Sequence, residues 1–513
     1  MTESQYKALC ESCDRLLLAP DSSLTRIAIP WLHVIREHPF FLANYNNIFN
    51  ANTFYNHYFT KIRNRLRNLY IFLRLLLKAS QKKEQMWYGS EPLFAKIDYL
   101  FISHLLNTSH IGKSEDFYFG KMPNELADMG YKVMIALINH SGEPGELLAS
   151  KWGSESVPRV VFSESVGFSE ELFIHRMMKK ESKKIKRLAL NEKNGLYFKV
   201  FERASDEALS IDTQNVLRLG KQISELVARF NPGTIIITHE GHAWERITFA
   251  AARSVQPSIR CVGYQHAALF RLQHAIRRNL QQAYNPDHIL TAGVIGKTQL
   301  ESSPGIKGIQ VSVLGSNRVY IGKDNKENFH SLSATDYHPQ NQSCLVLPEG
   351  DVGECNLLFE FSLSCAQLCQ NINFIWRLHP LVSFEFLISQ NYNFRNLPKN
   401  IELSKNTLEE DIFRSRWALY RGTTAIIMAV QAGLVPIYLQ VPDEMTIDPL
   451  YEIENVKIKV RSPRDFKNEI AYQSNIIKSK IEINEDYIRD YCKNFYSFYE
   501  ITELSKLIDK SKK

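Results

Sequence analysis

Through residues 1–95 the apolar positions recur without strand-like alternation, among many aromatic and Asn residues, and predict a helical preface. After that the pattern changes. Short, nearly continuous apolar runs appear at Ile97–Leu106 (IDYLFISHLL), Tyr131–Asn139, Arg159–Phe162 (RVVF), Thr234–Thr238 (TIIIT), Ile259–Tyr264 and His288–Ala292. Runs of this kind suit strands covered on both faces in a parallel sheet. The first two, joined by a helix-like stretch that ends at Gly130, read as a βαβ unit, and the pattern from Ser169 to Phe230 is helical. A second series follows at Gln310–Leu314, Ser343–Leu347 (SCLVL), Asn373–Leu378, Ala418–Tyr420 and Val435–Leu439 (VPIYL), with helical stretches such as Leu357–Gln370 and Thr424–Ala432 between the strands.

Two consecutive series of this kind predict an α/β chain with two Rossmann-like domains facing a cleft. The expected boundaries are a helical extension at 1–95, a first domain at 96–300, a second at 301–480 and C-terminal helices at 481–513. With 513 residues the chain is too long for one core. Its 44% hydrophobic and 23% charged residues are those of a globular protein rather than a disordered one.

The start of the sequence lacks a basic segment followed by an apolar one, so a cytoplasmic location is expected. No run approaches the length of a spanning helix. The eight cysteines are scattered, and Cys10 and Cys13 have no partner pair at zinc spacing, so packing thiols are expected and no metal. The net charge is only +7, but its placement matters. Lys61–Lys83 (KIRNRLRNLYIFLRLLLKASQKK) sets cations around a dense apolar stretch, as in a helix lying on anionic lipid; a buried helix with a solvated basic end is the alternative. Lys179–Arg187 reads as a solvated helical face. No nucleic-acid-binding signature accompanies either run.

In parallel sheets ligands bind beyond the carboxyl ends of the strands, which directs attention to the strand-end loops. TIIIT is followed by His239, Glu240, Gly241, His242, Ala243, Trp244, Glu245 and Arg246. Two imidazoles and two carboxylates at a strand mouth, with a glycine for the turn, are the groups of acid–base chemistry, Glu240 being the leading base and His242 its helper. Glu245 and Arg246 are expected only to cap and solvate the next helix. HEGH is not HExxH, so a zinc protease fails on spacing. His266, Glu164 and the pair Ser103-His104 lie at three further strand ends. Glu164 is a candidate catalytic carboxylate, and Ser103 and His104 are candidate acceptor contacts.

In the second series Arg377, His379 and Pro380 end a strand. Gly422, Thr423 and Thr424 lead into an apolar helix, where free N–H groups and hydroxyls suit a phosphate. Asn317, near the domain seam, and Glu349, after SCLVL, are further nucleotide contacts or ordinary turn residues.

His-Pro at a strand end followed by a Thr pair at a helix start resembles the nucleotide site of bacterial GT-B transferases that use CMP-activated acid sugars, the sialyltransferases and Kdo transferases. The resemblance implies that His379, Thr423 and Thr424 hold the CMP phosphate. It also matches His239-Glu240-Gly241 to an acidic-acidic-Gly motif carrying the general base, with histidine in place of the first acid. The stretch from IDYLFISHLLN to MGYKVMIALINH is similar to the opening of surface-carbohydrate biosynthesis proteins. The similarity spans roughly 96–460. It implies a metal-independent, cofactor-free glycosyltransferase at the cytoplasmic surface of the inner membrane, moving Kdo or a related acid sugar from its CMP donor onto a glycan or lipid-linked acceptor of lipopolysaccharide, O-antigen or capsule. A UDP- or GDP-sugar transferase, an epimerase and a non-catalytic assembly protein stay open, as does the choice between inversion and retention.

Overall fold

The computed structural model describes residues 1–49, 54–81, 86–89, 95–152, 157–192, 194–317, 342–379, 382–454, 457–475, 487–502, 504 and 506. Lys83, Pro380 and much of 481–513 lie outside the described residues. The first sheet contains β1 (Trp87–Tyr88), β2 (Tyr99–Leu105), β3 (Val133–Asn139), β4 (Arg159–Phe162), β5 (Thr234–Thr238), β6 (Arg260–Gln265), β7 (His288–Thr291) and β8 (Gln310–Val313). Their order is β1-β4-β3-β2-β5-β6-β7-β8, parallel except for β1. The second sheet is wholly parallel, with β9 (Ser343–Leu347), β10 (Asn373–Trp376), β11 (Ile401–Leu403), β12 (Trp417–Tyr420), β13 (Val435–Leu439) and β14 (Ile458–Val460) in the order β11-β10-β9-β12-β13-β14. Both sheets reverse their winding once, between β2 and β5 in the first and between β9 and β12 in the second. Those two points define where ligands enter.

The central strands bury every residue or nearly so, as TIIIT does, which is why they are continuous apolar runs in the sequence. One expected boundary moves. Gln310–Val313, read as opening the second series, is β8, paired with β7 as the last strand of the first sheet.

The helical preface is not an appendage. α1 (Glu3–Leu17), closed at its start by a Thr2–Gln5 capping box, and α2 (Phe54–Gln81) pack with the intervening turns on α3 (Phe168–Asn191), α4 (Leu196–Glu207) and α5 (Ile211–Phe230). Buried ion pairs fix the docking, with Arg26 on Glu181 at 2.7 Å and Arg278 on Asp14 at 2.5 Å. Cys10 and Cys13 are buried in this core, and burial pushes the Cys10 thiol up to about 12. At the other end of the chain, residues 494–500 return to the first domain. Ser497 and Glu500 donate to the carbonyls of Ala292 and Leu314, and no Cβ would fit at Gly293 or Gly315 beneath this strap.

Candidate functional site

At the first reversal point the loop after β5 carries the densest polar cluster. His239 is fully buried, its ring laid on Gly263, and its Nδ1 lies 3.0 Å from Glu245 Oε2. Glu245, also buried, opens α6 (Ala243–Val255) and accepts hydrogen bonds from the backbone N–H groups of Glu240, Gly241 and His242 at 2.7–3.0 Å. One carboxylate thus shapes the entire turn. Gly241 is required there, since its φ is +91° and a Cβ would collide with the Ala275 backbone. Arg246 does not solvate the helix as expected. It is buried and donates to the carbonyls of Ala275 and Arg278 and to Asn285. A guanidinium with five donors can close several loops at once.

The turn leaves Glu240 and His242 half-buried and facing each other, His242 Nε2 3.4 Å from Glu240 Oε2. Burial alone would raise the Glu240 pKa. The hydrogen bond from His242 and the charges of Arg36, His266 and His242 override it and hold the carboxyl far below its usual range. Burial likewise works against the His242 cation, yet the hydrogen bond to Glu240 and the charges of Glu245 and Glu240 raise its pKa. Each member thus favours the charged form of the other, carboxylate on Glu240 and imidazolium on His242.

Around it stand further rings. His104 Nδ1 is 3.0 Å from His140 Nε2, and burial, with the neighbouring imidazoles, pushes the His104 pKa down to about 3. Trp244 and Tyr118 pack edge-on against His104, and Tyr118 does the same against His266. Arg36 arrives from the preface, its guanidinium between the Phe41 and Phe270 rings at 5.0 Å from each. A cavity of about 480 Å³ bounded by Trp31, Phe41, Tyr45, Arg67 and Ile71 reaches His242.

Of the expected residues, Glu240, His242, His266 and His104 come together here. Two do not. Ser103 points to the opposite face of β2 and donates to Asp116 at 2.9 Å, fully buried, because successive strand residues alternate sides. Glu164 follows β4, three strand spacings from β5, or about 14 Å. It is exposed, pairs with Lys78 and lines a separate cavity of about 360 Å³. His140 and Arg36 were missed. His140 ends a strand run next to that of His104 and was legible by the same rule, whereas nothing local marks Arg36.

At the second reversal point the β9 and β12 loops are clamped by Arg421, which takes Glu354 with two bonds of 2.8 and 3.0 Å and Glu444 at 2.6 Å. Gly422 lies against Glu349, whose Oε1 would overlap a Cβ there, and half-buried His379 lies over Gly350. Burial lowers the His379 pKa against the pull of Glu349. Thr423 Oγ1 accepts from Ala425 N at 3.3 Å, and Thr424 opens α8 (Ala425–Gln431), the long α7 (Val352–Leu368) having started at the Asp351 cap after β9. Arg377 is committed to buried Asp411 at 2.9 Å and the Asn406 carbonyl at 2.7 Å, so it braces the loop after β10. Asn317 is exposed at the end of the first domain, beside Gly120. Glu349, Gly422, Thr423, Thr424 and His379 therefore share one crevice, which Arg377 supports from behind and Asn317 does not join.

Among the described residues no group of three or more His, Cys, Asp or Glu side chains is placed to hold a metal ion, and no helix is long and apolar enough to cross a membrane. The sequence matches no family model and no curated protein. Solved structures with a similar course include a putative UDP-N-acetylglucosamine 2-epimerase from Listeria monocytogenes, at 12% identity over 79% of this chain and 93% of that one with a TM-score of 0.43. The glycosyltransferase SnogD from Streptomyces nogalater has 11% identity over 80% and 100%, with a TM-score of 0.44. UDP-GlcNAc 2-epimerase from Neisseria meningitidis, bound to UDP-GlcNAc, has 10% identity over 80% or more of each chain, with a TM-score of 0.42. None of these likenesses bears on substrate or reaction; the chain's own residues do.

Proposed function

We propose that the chain is a glycosyltransferase that moves a sugar from a nucleotide donor, a CMP-activated acid sugar of the Kdo or sialic type, to a hydroxyl of a surface glycan. The observation that carries this reading is the Glu240–His242 pair at the first reversal point, with the His104, Trp244 and Tyr118 rings beside it. Trp244 and Tyr118 offer apolar ring surface of the kind that packs on a sugar, and the imidazoles beside them offer hydrogen bonds to its hydroxyls.

The donor nucleotide occupies the second crevice. Glu349 Oε1 is buried without a hydrogen-bond partner and accepts from a ribose hydroxyl. The Thr423 and Thr424 hydroxyls, the first N–H groups of α8 and His379 face the phosphate. The acceptor hydroxyl donates to Glu240. As its oxygen bonds to the anomeric carbon, its proton passes to the Glu240 carboxylate, and the sugar–phosphate bond breaks with its electron pair going to the nucleotide phosphate. His242 offsets the Glu240 charge until the proton arrives, and fixed donors meet the charge that grows on the phosphate without a metal. With Glu164 elsewhere, a single base at the acceptor fits inversion.

The test is thermal stabilisation of the purified chain by CMP, alongside UMP, GMP and their diphosphates, because a ligand that binds only the folded state raises the melting temperature. Selective stabilisation by CMP, lost in Thr423→Val, is the expected result and makes CMP-Kdo the first donor to assay. Stabilisation by UDP or GDP alone removes the CMP assignment. Conversion of a nucleotide sugar without acceptor replaces the transferase by an epimerase, and no response to any nucleotide removes both.

A further inference from the structure

α2 is an apolar helix on two sides. Its inner face, with Phe72 stacked on His175 of α3 at 4.0 Å and Ala79 buried, belongs to the core. On its outer face Leu66, Leu69, Tyr70, Leu73 and Leu77 are each more than half exposed. At 100° per residue these five positions fall within a stripe roughly 100° wide, centred about 120° around the helix from Phe72 and Ala79. An apolar row of that length is not needed for folding, since the helix is already anchored by its other side.

The charges around the row say what covers it. The 28 residues of α2 contain no Asp or Glu, and they carry Lys61, Arg63, Arg65, Arg67, Arg74 and Lys78. Arg63, Arg67, Arg74 and Lys78 fall along one flank of the apolar row, where long side chains keep their heads in water while their stems extend the apolar surface. α3, against which α2 packs, adds exposed Arg176, Lys179, Lys180 and Lys183. A flank of arginines beside an apolar stripe, with Glu164 as an acidic partner on Lys78, complements an anionic interface with an apolar layer beneath it. It disfavours a second copy of the same helix, whose arginine flank would repel it.

We infer that the outer face of α2 docks on an anionic phospholipid bilayer, with Leu66, Leu69, Tyr70, Leu73 and Leu77 seated at the headgroup–acyl boundary and the arginines on the phosphates. The inference stands apart from the transferase reading, since it needs no donor or acceptor. It has a geometric consequence all the same: Arg67 and Ile71 of this helix also wall the cavity that reaches His242, so the docked face and the site lie on either side of one helix.

The full chain is sedimented with vesicles of phosphatidylcholine alone or mixed with phosphatidylglycerol. Binding to the mixed vesicles, at least tenfold weaker to the neutral ones and falling as salt is added, is expected. Leu69→Glu/Leu73→Glu, at exposed positions, lowers that binding tenfold or more with an unchanged circular dichroism spectrum, and Arg63→Gln/Arg74→Gln lowers it while reducing the salt dependence. Equal pelleting with both vesicles, no pelleting, or full binding by the double Glu variant overturns the inference. Light scattering without lipid gives the remaining outcome: a dimer that Leu69→Glu dissociates assigns the face to a second copy instead.

Discussion

His38 donates from Nε2 to Glu349 Oε2 at 2.6 Å, while its Nδ1 accepts from the Phe40 backbone N–H at 3.1 Å. This fixed tautomer joins the N-terminal preface to the first loop of the second sheet, across 311 positions of sequence. The same stretch of preface supplies Arg36 to the Glu240 site, so the two crevices are tied by one segment of a few residues. Removing the imidazole leaves a largely buried carboxylate oxygen unpaired, at a cost of about 1–3 kcal/mol. His38→Ala is expected to lower the melting temperature and to weaken nucleotide binding through misplacement of Glu349. Unchanged nucleotide affinity in a folded His38→Ala chain would separate the bridge from the site.

Glu349 itself gives a sharper test. Its Oε1 rests on Gly422 with no hydrogen-bond partner. If a ribose hydroxyl donates to it, Glu349→Gln loses a charge-assisted hydrogen bond and nucleotide affinity falls by about tenfold, or 1.4 kcal/mol. Calorimetric titration reads the difference. Tighter binding would mean that a phosphate, which a carboxylate repels, sits over Gly422.

Glu245 is expected to matter through geometry alone. Glu245→Gln exchanges a carboxylate that holds three backbone donors and His239 for an amide with a single acceptor oxygen, costing about 3 kcal/mol. Urea denaturation should show the loss. Any residual activity should fall chiefly in kcat, because Glu240 and His242 are displaced together. Gly241→Ala should be worse, since it adds a strained φ to a collision with the Ala275 backbone, roughly 3 kcal/mol or more.

These contacts show what the sequence could and could not reveal. RVVF, TIIIT, SCLVL and VPIYL were legible residue for residue, because strands covered on both faces are mostly apolar from end to end. β11 and β14, three residues each at or near the sheet's edges with exposed Glu402 and Lys459, carry no such run. β8 reads as the start of the second series but belongs to the first sheet, where it pairs with β7, a partner its own residues do not mark. The turn at Glu240 was marked by its residue types. The roles inside it were not: Glu245 looked like a solvated cap, and Arg36 comes from an element with no local sign that it folds back onto the sheet.

The pH dependence of the reaction follows from the ionisation of the central pair. Glu240 stays a carboxylate to well below its ordinary range, so protonation of Glu240 contributes no acid limb to kcat/KM near neutrality. His242, raised above 6.5, is cationic below that pKa and loses its proton above it. Its pairing with Glu240 therefore contributes stability fully present below pH 6.5 and lost as pH rises through the folded pKa. His33, His104 and His239 have the opposite sign. Burial lowers each, so the unfolded chain takes up protons that the folded chain does not, and stability falls as pH drops below 6.5. Folding should be strongest near neutrality, and kcat/KM should decline on the alkaline side of the His242 pKa. His242→Gln should remove that alkaline limb and lower the plateau, because the neutral amide cannot offset the Glu240 charge. A profile whose alkaline limb survives in His242→Gln would assign the limb to another group and leave the Glu240–His242 pair a structural contact.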